Sequence, residues 1–215
     1  MNVIALVPLE EHDHRLSGAL INFRGEPLLS HAVRGLLHSG CVDRVVVAGP
    51  PQNLTAYETV LESVADTRVR VVAGGAGRAE SVRSALAACS ATVSDVVLVH
   101  DPARPFTPAG TIRAVVDSVR SGALAAVPVE PVTDTIKLVD SDDIVCGTRD
   151  RSKLRFTQTP QGFLADVLRQ ADPAEPLAGL GAKVHTVAGH PHAMRLATSF
   201  DLAVIEALLT SEKRQ

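Results

Sequence analysis

Short runs of β-branched and aliphatic residues alternate with longer amphipathic stretches through the first 130 positions of the chain. The runs at 3–7, 44–48, 69–73, 95–99 and 123–129 are close to continuously apolar. That is the pattern of parallel strands covered on both faces, not of strands with one wet face. Between them, residues 27–38, 53–64, 78–89 and 108–121 carry apolar positions at helical spacing. Pro27 and Pro108 stand where a first helical turn favours proline, and Thr107 precedes the second as a cap. Regular strand–helix alternation predicts right-handed crossovers and an α/β fold with a doubly wound, mostly parallel sheet. Ligands of such sheets bind beyond the carboxyl ends of the strands, so the loops after Val7, Ala73 and Val99 are the ones to read.

The rhythm changes after Val129. Residues 134–139 and 140–145 read as two short strands around the polar turn Ser141-Asp142-Asp143. A hairpin projecting from a parallel sheet cannot bury both faces alone, which calls for a second subunit. A strand near 155–158, a helix from Phe163 and a Pro- and Gly-rich bend at 172–181 follow. Strands at 183–187 and 193–197 and a helix from Ser199 complete the expected order. No repeat or linker divides the chain, so a single domain over 1–215 is expected, with an arm at about 130–151.

Composition narrows the class. With 46% hydrophobic and 21% charged residues among 215, the chain is globular, and a disordered or collagenous one is excluded. Aromatics are only 3%, so the core is built from Val, Ala, Leu and Ile. A formal net charge of -3 gives no general attraction to nucleic acid or an anionic membrane, so neither is expected as a partner. Cys41, Cys89 and Cys146 are scattered without a C-x-x-C pair. This argues for a reducing compartment and against a disulfide framework or a Cys-rich zinc site. The opening run lacks a basic n-region and no apolar stretch spans a bilayer, so a cytoplasmic protein is expected.

Three loops hold candidate chemistry. In Val99-His100-Asp101-Pro102-Ala103-Arg104-Pro105, a carboxylate and a guanidinium stand three apart at a strand end. Asp101 suits a Mg²⁺ that takes its other ligands from phosphate, and Arg104 suits anionic oxygen. The same pair equally suits a structural salt bridge. Gly74-Gly75-Ala76-Gly77-Arg78-Ala79-Glu80-Ser81-Val82 opens a helix whose N-terminus, with Arg78, favours an anion or a polar base edge. Read plainly, it is a flexible strand-to-helix turn. It is not a dinucleotide fingerprint, because Glu80 replaces the third glycine. Leu9-Glu10-Glu11-His12-Asp13-His14-Arg15 has no glycine and three carboxylates, which oppose a triphosphate. Glu10, His12 and His14, or His190 and His192, have metal-ligand chemistry, but solvated loop side chains are the simpler reading.

Together these pieces resemble the 2-C-methyl-D-erythritol 4-phosphate cytidylyltransferase family along nearly the whole chain. The resemblance rests on Gly74-Gly75, Arg78 and Ser81-Val82, and on the motif at 99–105. It rests further on Pro128-Val129 followed by Asp134-Thr135-Ile136-Lys137, and on Thr159-Pro160-Gln161-Gly162-Phe163. It implies a Rossmann-like nucleotidyltransferase fold and a homodimer formed through the arm. It also implies a reaction of the non-mevalonate isoprenoid route, in which the acceptor's phosphate attacks the α-phosphorus of CTP and pyrophosphate leaves. Mg²⁺ and cationic side chains neutralise the developing charge.

Carried over position by position, the resemblance gives Gly74, Gly75, Arg78 and Ser81 to the cytidine. Pro102 and Arg104 go to the nucleotide side of the pocket, and Asp101 to the metal. Thr135, Arg151 and Thr159 fall where the family holds the sugar phosphate, partly from the neighbouring subunit. Arg15 stands for the arginine ending the family's first loop and Arg195 for a lysine on the penultimate strand. With Asp101 they form the expected catalytic set.

The chain departs from the family pattern in the first loop, which lacks glycine at 9–15 and has Ala19-Leu20 near the place of an expected lysine. The first lysine of the chain is Lys137. Arg195 keeps charge without an ammonium's compact geometry, and residues 172–176 stand for a longer family segment carrying a Thr-Asp pair. Two functions remain open at this stage. One is a CTP-dependent cytidylyltransferase; the other is a catalytically impaired paralogue acting by binding or dimerisation. A nicotinamide-dependent oxidoreductase is set aside, because Ala48-Gly49-Pro50 stands where its acid should end the second strand.

Overall fold

The computed structural model of the chain describes residues 1–10, 18–75 and 77–212. Strand β1 (Val3–Pro8) lies inside an eight-stranded sheet with every residue buried, which is why its sequence is apolar throughout. A small antiparallel ribbon of β2 (Asn22–Phe23) and β3 (Glu26–Pro27) leads into α1 (Leu28–His38). Then β4 (Arg44–Gly49), α2 (Leu54–Glu62), β5 (Val69–Ala73), α3 (Arg78–Ala88), β6 (Val96–Val99) and α4 (Ala109–Arg120) alternate as the pattern predicts. The second part contains β7 (Ala125–Pro131), β8 (Ile136–Val139), β9 (Val145–Arg149), β10 (Arg155–Thr157) and β11 (Gln161–Leu164). It ends with α5 (Ala165–Gln170), β12 (Val184–Ala188) and α6 (Ser199–Glu212).

The sheet runs β10-β7-β11-β6-β1-β4-β5, with β12 added to β7. Pairs β6·β1, β1·β4, β4·β5 and β12·β7 are parallel, whereas β11 and β10 run antiparallel to their neighbours. The mostly parallel sheet is thus as expected. Alternate residues of β1 face opposite layers: Val3, Ala5 and Val7 pack with α1 and α4, Ile4 and Leu6 with α3 and α5. A third cluster of Phe23, Leu28, Leu196 and Ile205 docks α6 near the β2–β3 ribbon.

Four expectations are corrected. Phe163 lies on β11, not on a helix, and is fully buried between β6 and β7. A short apolar run does not distinguish the two states, and here Gly162 decides: a Cβ there would lie 2.6 Å from Val115 Cγ1 of α4. Residues 193–197 are no strand. Pro191–Ala193 forms a single 3-10 turn, and Arg195 follows it without ladder pairing. Thr107 does not cap α4; its Oγ1 donates to the carbonyls of Arg104 (3.2 Å) and Thr159 (3.1 Å). In the arm, Asp140 Oδ1 accepts from the N–H groups of Asp142 and Ile144. The turn is therefore longer and the second strand begins at Val145.

Candidate functional site

The loop after β6 is built around one carboxylate. His100 still pairs with β1 through its N–H to Leu6 O (2.9 Å), and the chain then turns at Asp101, where Arg104 N–H donates to Asp101 O (2.9 Å). Asp101 Oδ1 accepts from Ala103 N–H at 2.9 Å and Oδ2 from Arg195 Nε at 3.0 Å. Burial works against ionising this carboxyl. The Ala103 N–H and the guanidiniums of Arg195 and Arg78 outweigh it and hold the pKa below its ordinary value. The Asp101 N–H in turn donates to Thr159 Oγ1 (3.0 Å), whose hydroxyl also meets His100 Nδ1 at 3.2 Å. Burial pushes the His100 pKa down to about 4, so the ring is neutral at pH 7 and Nδ1 can accept from the threonine hydroxyl.

The glycine loop after β5 is tied to the end of β1. Gly74 N–H donates to Gly49 O (2.7 Å), Gly75 N–H to Ser81 Oγ (3.3 Å), and Ser81 Oγ to Leu9 O (2.9 Å). A Cβ on Gly74 would sit 2.5 Å from Ser81 Oγ and 3.0 Å from Gly49 N, so this close approach needs glycine. Ser81 is fully buried and joins the loops after β1 and β5; its hydroxyl is spent on the protein. Arg78 opens α3 and lines the same cleft as Asp101, whose charge it favours.

These loops enclose a cleft of roughly 610 Å³, counting the part open to solvent, beyond the carboxyl ends of the strands. Pro8, Leu9 and Glu10 line it from β1, Gly18 and Ala19 from the following 3-10 turn, and Arg78 from α3. Asp101, Pro102, Ala103 and Arg195 close the other side. Arg78 also borders a neighbouring hollow of roughly 930 Å³, with Thr157, Gln161 and the short segment 174–178. The arrangement offers an anion two guanidiniums beside an ionised carboxylate. For Mg²⁺ the donor set fits an ion that brings its own ligands: Asp101 and Glu10 share the cleft, and Mg²⁺ needs one or two carboxylates plus phosphate oxygens.

The other expected site residues fall elsewhere. Arg104 does not line this cleft. Its Nη1 donates to Ala193 O (2.6 Å) and its Nη2 to Thr157 O (3.3 Å), and burial lowers its pKa. Thr159 is buried under the loop rather than open in the cleft. Thr135 and Arg151 are exposed on the arm, where Arg151 Nη1 donates to Thr133 O. Arg15, with Glu11, His12, Asp13 and His14, lies outside the described residues. His190 Nδ1 accepts from His192 N–H at 3.1 Å, and among the described residues no group of three or more His, Cys, Asp or Glu could hold a metal. Sequence reasoning missed Gln158, which is buried and bonds Glu130 and His190. Its only signal was a polar residue just before Thr159-Pro160.

Residues 11–211 match the sequence model of 2-C-methyl-D-erythritol 4-phosphate cytidylyltransferase (IspD). A curated protein of that name from Saccharopolyspora erythraea is 53% identical over 224 aligned residues, covering 97% of this chain and 100% of the relative. One from Rhodococcus jostii is 44% identical, covering 96% and 95%. Among solved structures, a 4-diphosphocytidyl-2C-methyl-D-erythritol synthase aligns with a TM-score of 0.83 at 29% identity, covering 97% of this chain and 99% of its own. A 2-C-methyl-D-erythritol 4-phosphate cytidylyltransferase from Thermus thermophilus aligns at 0.74 and 30% identity, covering 98% and 100%.

Proposed function

The chain belongs to the 2-C-methyl-D-erythritol 4-phosphate cytidylyltransferase family, and we propose that it performs the family's reaction. It is a CTP-dependent transferase of isoprenoid precursor biosynthesis, moving CMP to 2-C-methyl-D-erythritol 4-phosphate. An oxygen of the acceptor's phosphate bonds to the α-phosphorus of CTP, the bond to the bridging oxygen breaks, and pyrophosphate leaves with that electron pair. The observation that carries this reading is Asp101, ionised in the cleft under the influence of Arg195 and Arg78.

In this reading the backbone at Gly74 and Gly75, with Arg78, receives the cytidine side of the nucleotide. Pro102 forms part of the wall. Arg195 meets phosphate charge, and Arg15, outside the described residues, is proposed for the same task. Ser81 and Arg104 serve indirectly, the first by fixing Leu9 and Gly75, the second by holding Ala193 and Thr157. Thr159 supports Asp101 through its backbone N–H. Mg²⁺, when bound at Asp101, supplies charge neutralisation on the triphosphate.

A homodimer is part of the proposal. Val139, Ile144 and Val145 on the arm and Phe156 on β10 are more than half exposed in the single chain, an apolar surface that another copy would cover. Thr135 and Arg151 then serve the neighbour's acceptor phosphate, and the single domain carries its arm as a dimerisation element. A cytoplasmic location agrees with the free cysteines and with the absence, among the described residues, of a helix long and apolar enough to cross a membrane.

The test is release of pyrophosphate from CTP with Mg²⁺ and 2-C-methyl-D-erythritol 4-phosphate. Folded protein that releases none at high concentration overturns the proposal. If that protein still binds Mg–CTP in a calorimetric titration, it is instead a paralogue that binds without turnover. The features favouring that second reading are the acidic, glycine-free sequence at 9–15 and the absence of any lysine before Lys137.

A further inference from the structure

Arg195 sits on a segment with no ladder of its own, yet it meets Asp101 with definite geometry. Regular pairing beside β7 ends where Gly189 N–H donates to Val129 O at 2.9 Å. The next residue, His190, is held by a side chain. Gln158 Oε1 accepts from His190 N–H at 2.9 Å, and Gln158 Nε2 donates to His190 O at 2.9 Å and to Glu130 Oε2 at 2.7 Å. The first two bonds reproduce the exchange made by a paired residue in a β-ladder, so the amide acts as one more rung. Gly189 makes room for it: a Cβ there would lie 2.5 Å from Gln158 Oε1 and 2.9 Å from Val129 O.

Beyond His190 the segment is fixed twice more. Arg104 Nη1 donates to Ala193 O, and Leu196 N–H donates to Ala103 O at 2.8 Å. Both of those anchors belong to the loop that carries Asp101. The Gln158 clamp comes from the segment between β10 and β11, and it holds His190, the residue from which the 3-10 turn of Pro191–Ala193 starts.

We propose that Gln158 is a positioning residue that sets Arg195 over the cleft by clamping His190. The inference rests on the reading above, in which Arg195 meets substrate phosphate. Gln158 is buried, so an apolar replacement leaves His190 N–H without its acceptor and takes one donor from the Glu130 carboxylate and one from His190 O, which keeps only the Ala193 N–H, and the segment swings away. A displacement of about 1 Å at a phosphate contact can cost as much as about a hundredfold in rate.

The experiment is a double-mutant cycle on the purified full chain, read as steady-state pyrophosphate release. Arg195→Gln is expected to raise KM for CTP or for the acceptor phosphate by about tenfold or more. Gln158→Met, of similar length but without the amide, is expected to raise the same KM about tenfold alone and to add less than about twofold on top of Arg195→Gln. Mere destabilisation lowers the active fraction in both backgrounds and leaves KM unchanged. In parallel, amide exchange at His190 is expected to accelerate in Gln158→Met. If Gln158→Met does not fold, Gln158→Glu, which removes both N–H donors but keeps the acceptor for His190 N–H, should give the same KM pattern, and His190 exchange is then no readout.

Unchanged KM values in the Gln158 variant, equal losses in both backgrounds, or undiminished protection at His190 overturn the proposal. If Arg195→Gln itself leaves turnover and both KM values unchanged, the reading of Arg195 falls first and this proposal falls with it.

Discussion

Arg195 Nε lies 3.0 Å from Asp101 Oδ2 although 94 residues separate them in the chain. The pair is uneven: the Arg195 side chain is 53% exposed and that of Asp101 only 18%. As a half-exposed ion pair it contributes at most about 1 kcal/mol to stability. Its importance is geometric, because it keeps a guanidinium at the carboxylate where a triphosphate and its metal are proposed to sit.

Replacing Asp101 by Asn separates these roles. The amide keeps the shape and an oxygen for the Ala103 N–H but removes the charge. Turnover by Asp101→Asn is expected to fall by about 10²–10³, the usual effect of losing one electrostatic contact to the transition state. Stability should change by about 1 kcal/mol or less. Pyrophosphate release and thermal melting, measured on the same sample, check both halves.

Ser81→Ala should behave in the opposite way. The buried hydroxyl joins Leu9 O to Gly75 N–H, and its loss leaves Leu9 O without this donor. A cost of about 1–2 kcal/mol is expected, lowering the melting temperature by roughly 2–8 °C for a chain of this size. Because the serine does not face the cleft, CTP affinity should fall only as far as the glycine loop loosens. Differential scanning calorimetry beside a CTP titration distinguishes this from direct contact, for which affinity would drop at unchanged stability.

These residues also indicate what a linear sequence conveys. Strands such as β1 and β4 were legible because burial on both faces forces a continuous apolar run. The loop at Gly74 was legible as a close backbone approach, which the structure makes to Ser81 and Gly49, and Asp101 as a carboxylate at a strand end. Phe163 misled because a short apolar run suits a helix as well as a strand, and only packing of Gly162 under Val115 decides. Arg104 misled because a guanidinium that bonds carbonyls has the same sequence signature as one that bonds phosphate. Gln158 was invisible because its partners, Glu130 and His190, come from distant segments.

Acid stability should be traceable in part to Asp95, at the amino-terminal end of the strands, away from the cleft. It is buried, with Oδ1 accepting from Asn2 N–H and Oδ2 from Thr92 N–H, each at 2.8 Å. Burial works against its charge, but those N–H groups prevail and hold the pKa below its ordinary value. Above about pH 5 both folded and unfolded carboxyls are ionised and the contribution is fully present. As pH falls further, the unfolded chain takes up the proton first, and the contribution is lost through the folded pKa. Asp95→Asn should cost about 1–3 kcal/mol at pH 7 and less near pH 3. Urea midpoints at the two pH values measure the narrowing.

The arm makes the last prediction, because Thr135 and Arg151 lie on it, exposed, outside the cleft of their own chain. If they complete a neighbour's site, charging the apolar surface should abolish both assembly and activity. Ile144→Lys with Val145→Lys replaces two residues that are 62% and 59% exposed, so the fold itself should melt within about 1 kcal/mol of the parent. Sedimentation should then report a monomer and pyrophosphate release should fall together with it. A mixing experiment sharpens the point. Asp101→Asn and Arg151→Ala chains are each expected to be nearly silent. A mixed dimer, however, holds one site with an intact Asp101 facing an intact Arg151 from its partner. Activity should therefore return on mixing and refolding the two. If the mixture stays as silent as its parts while sedimenting as a dimer, Arg151 serves its own chain or no site at all.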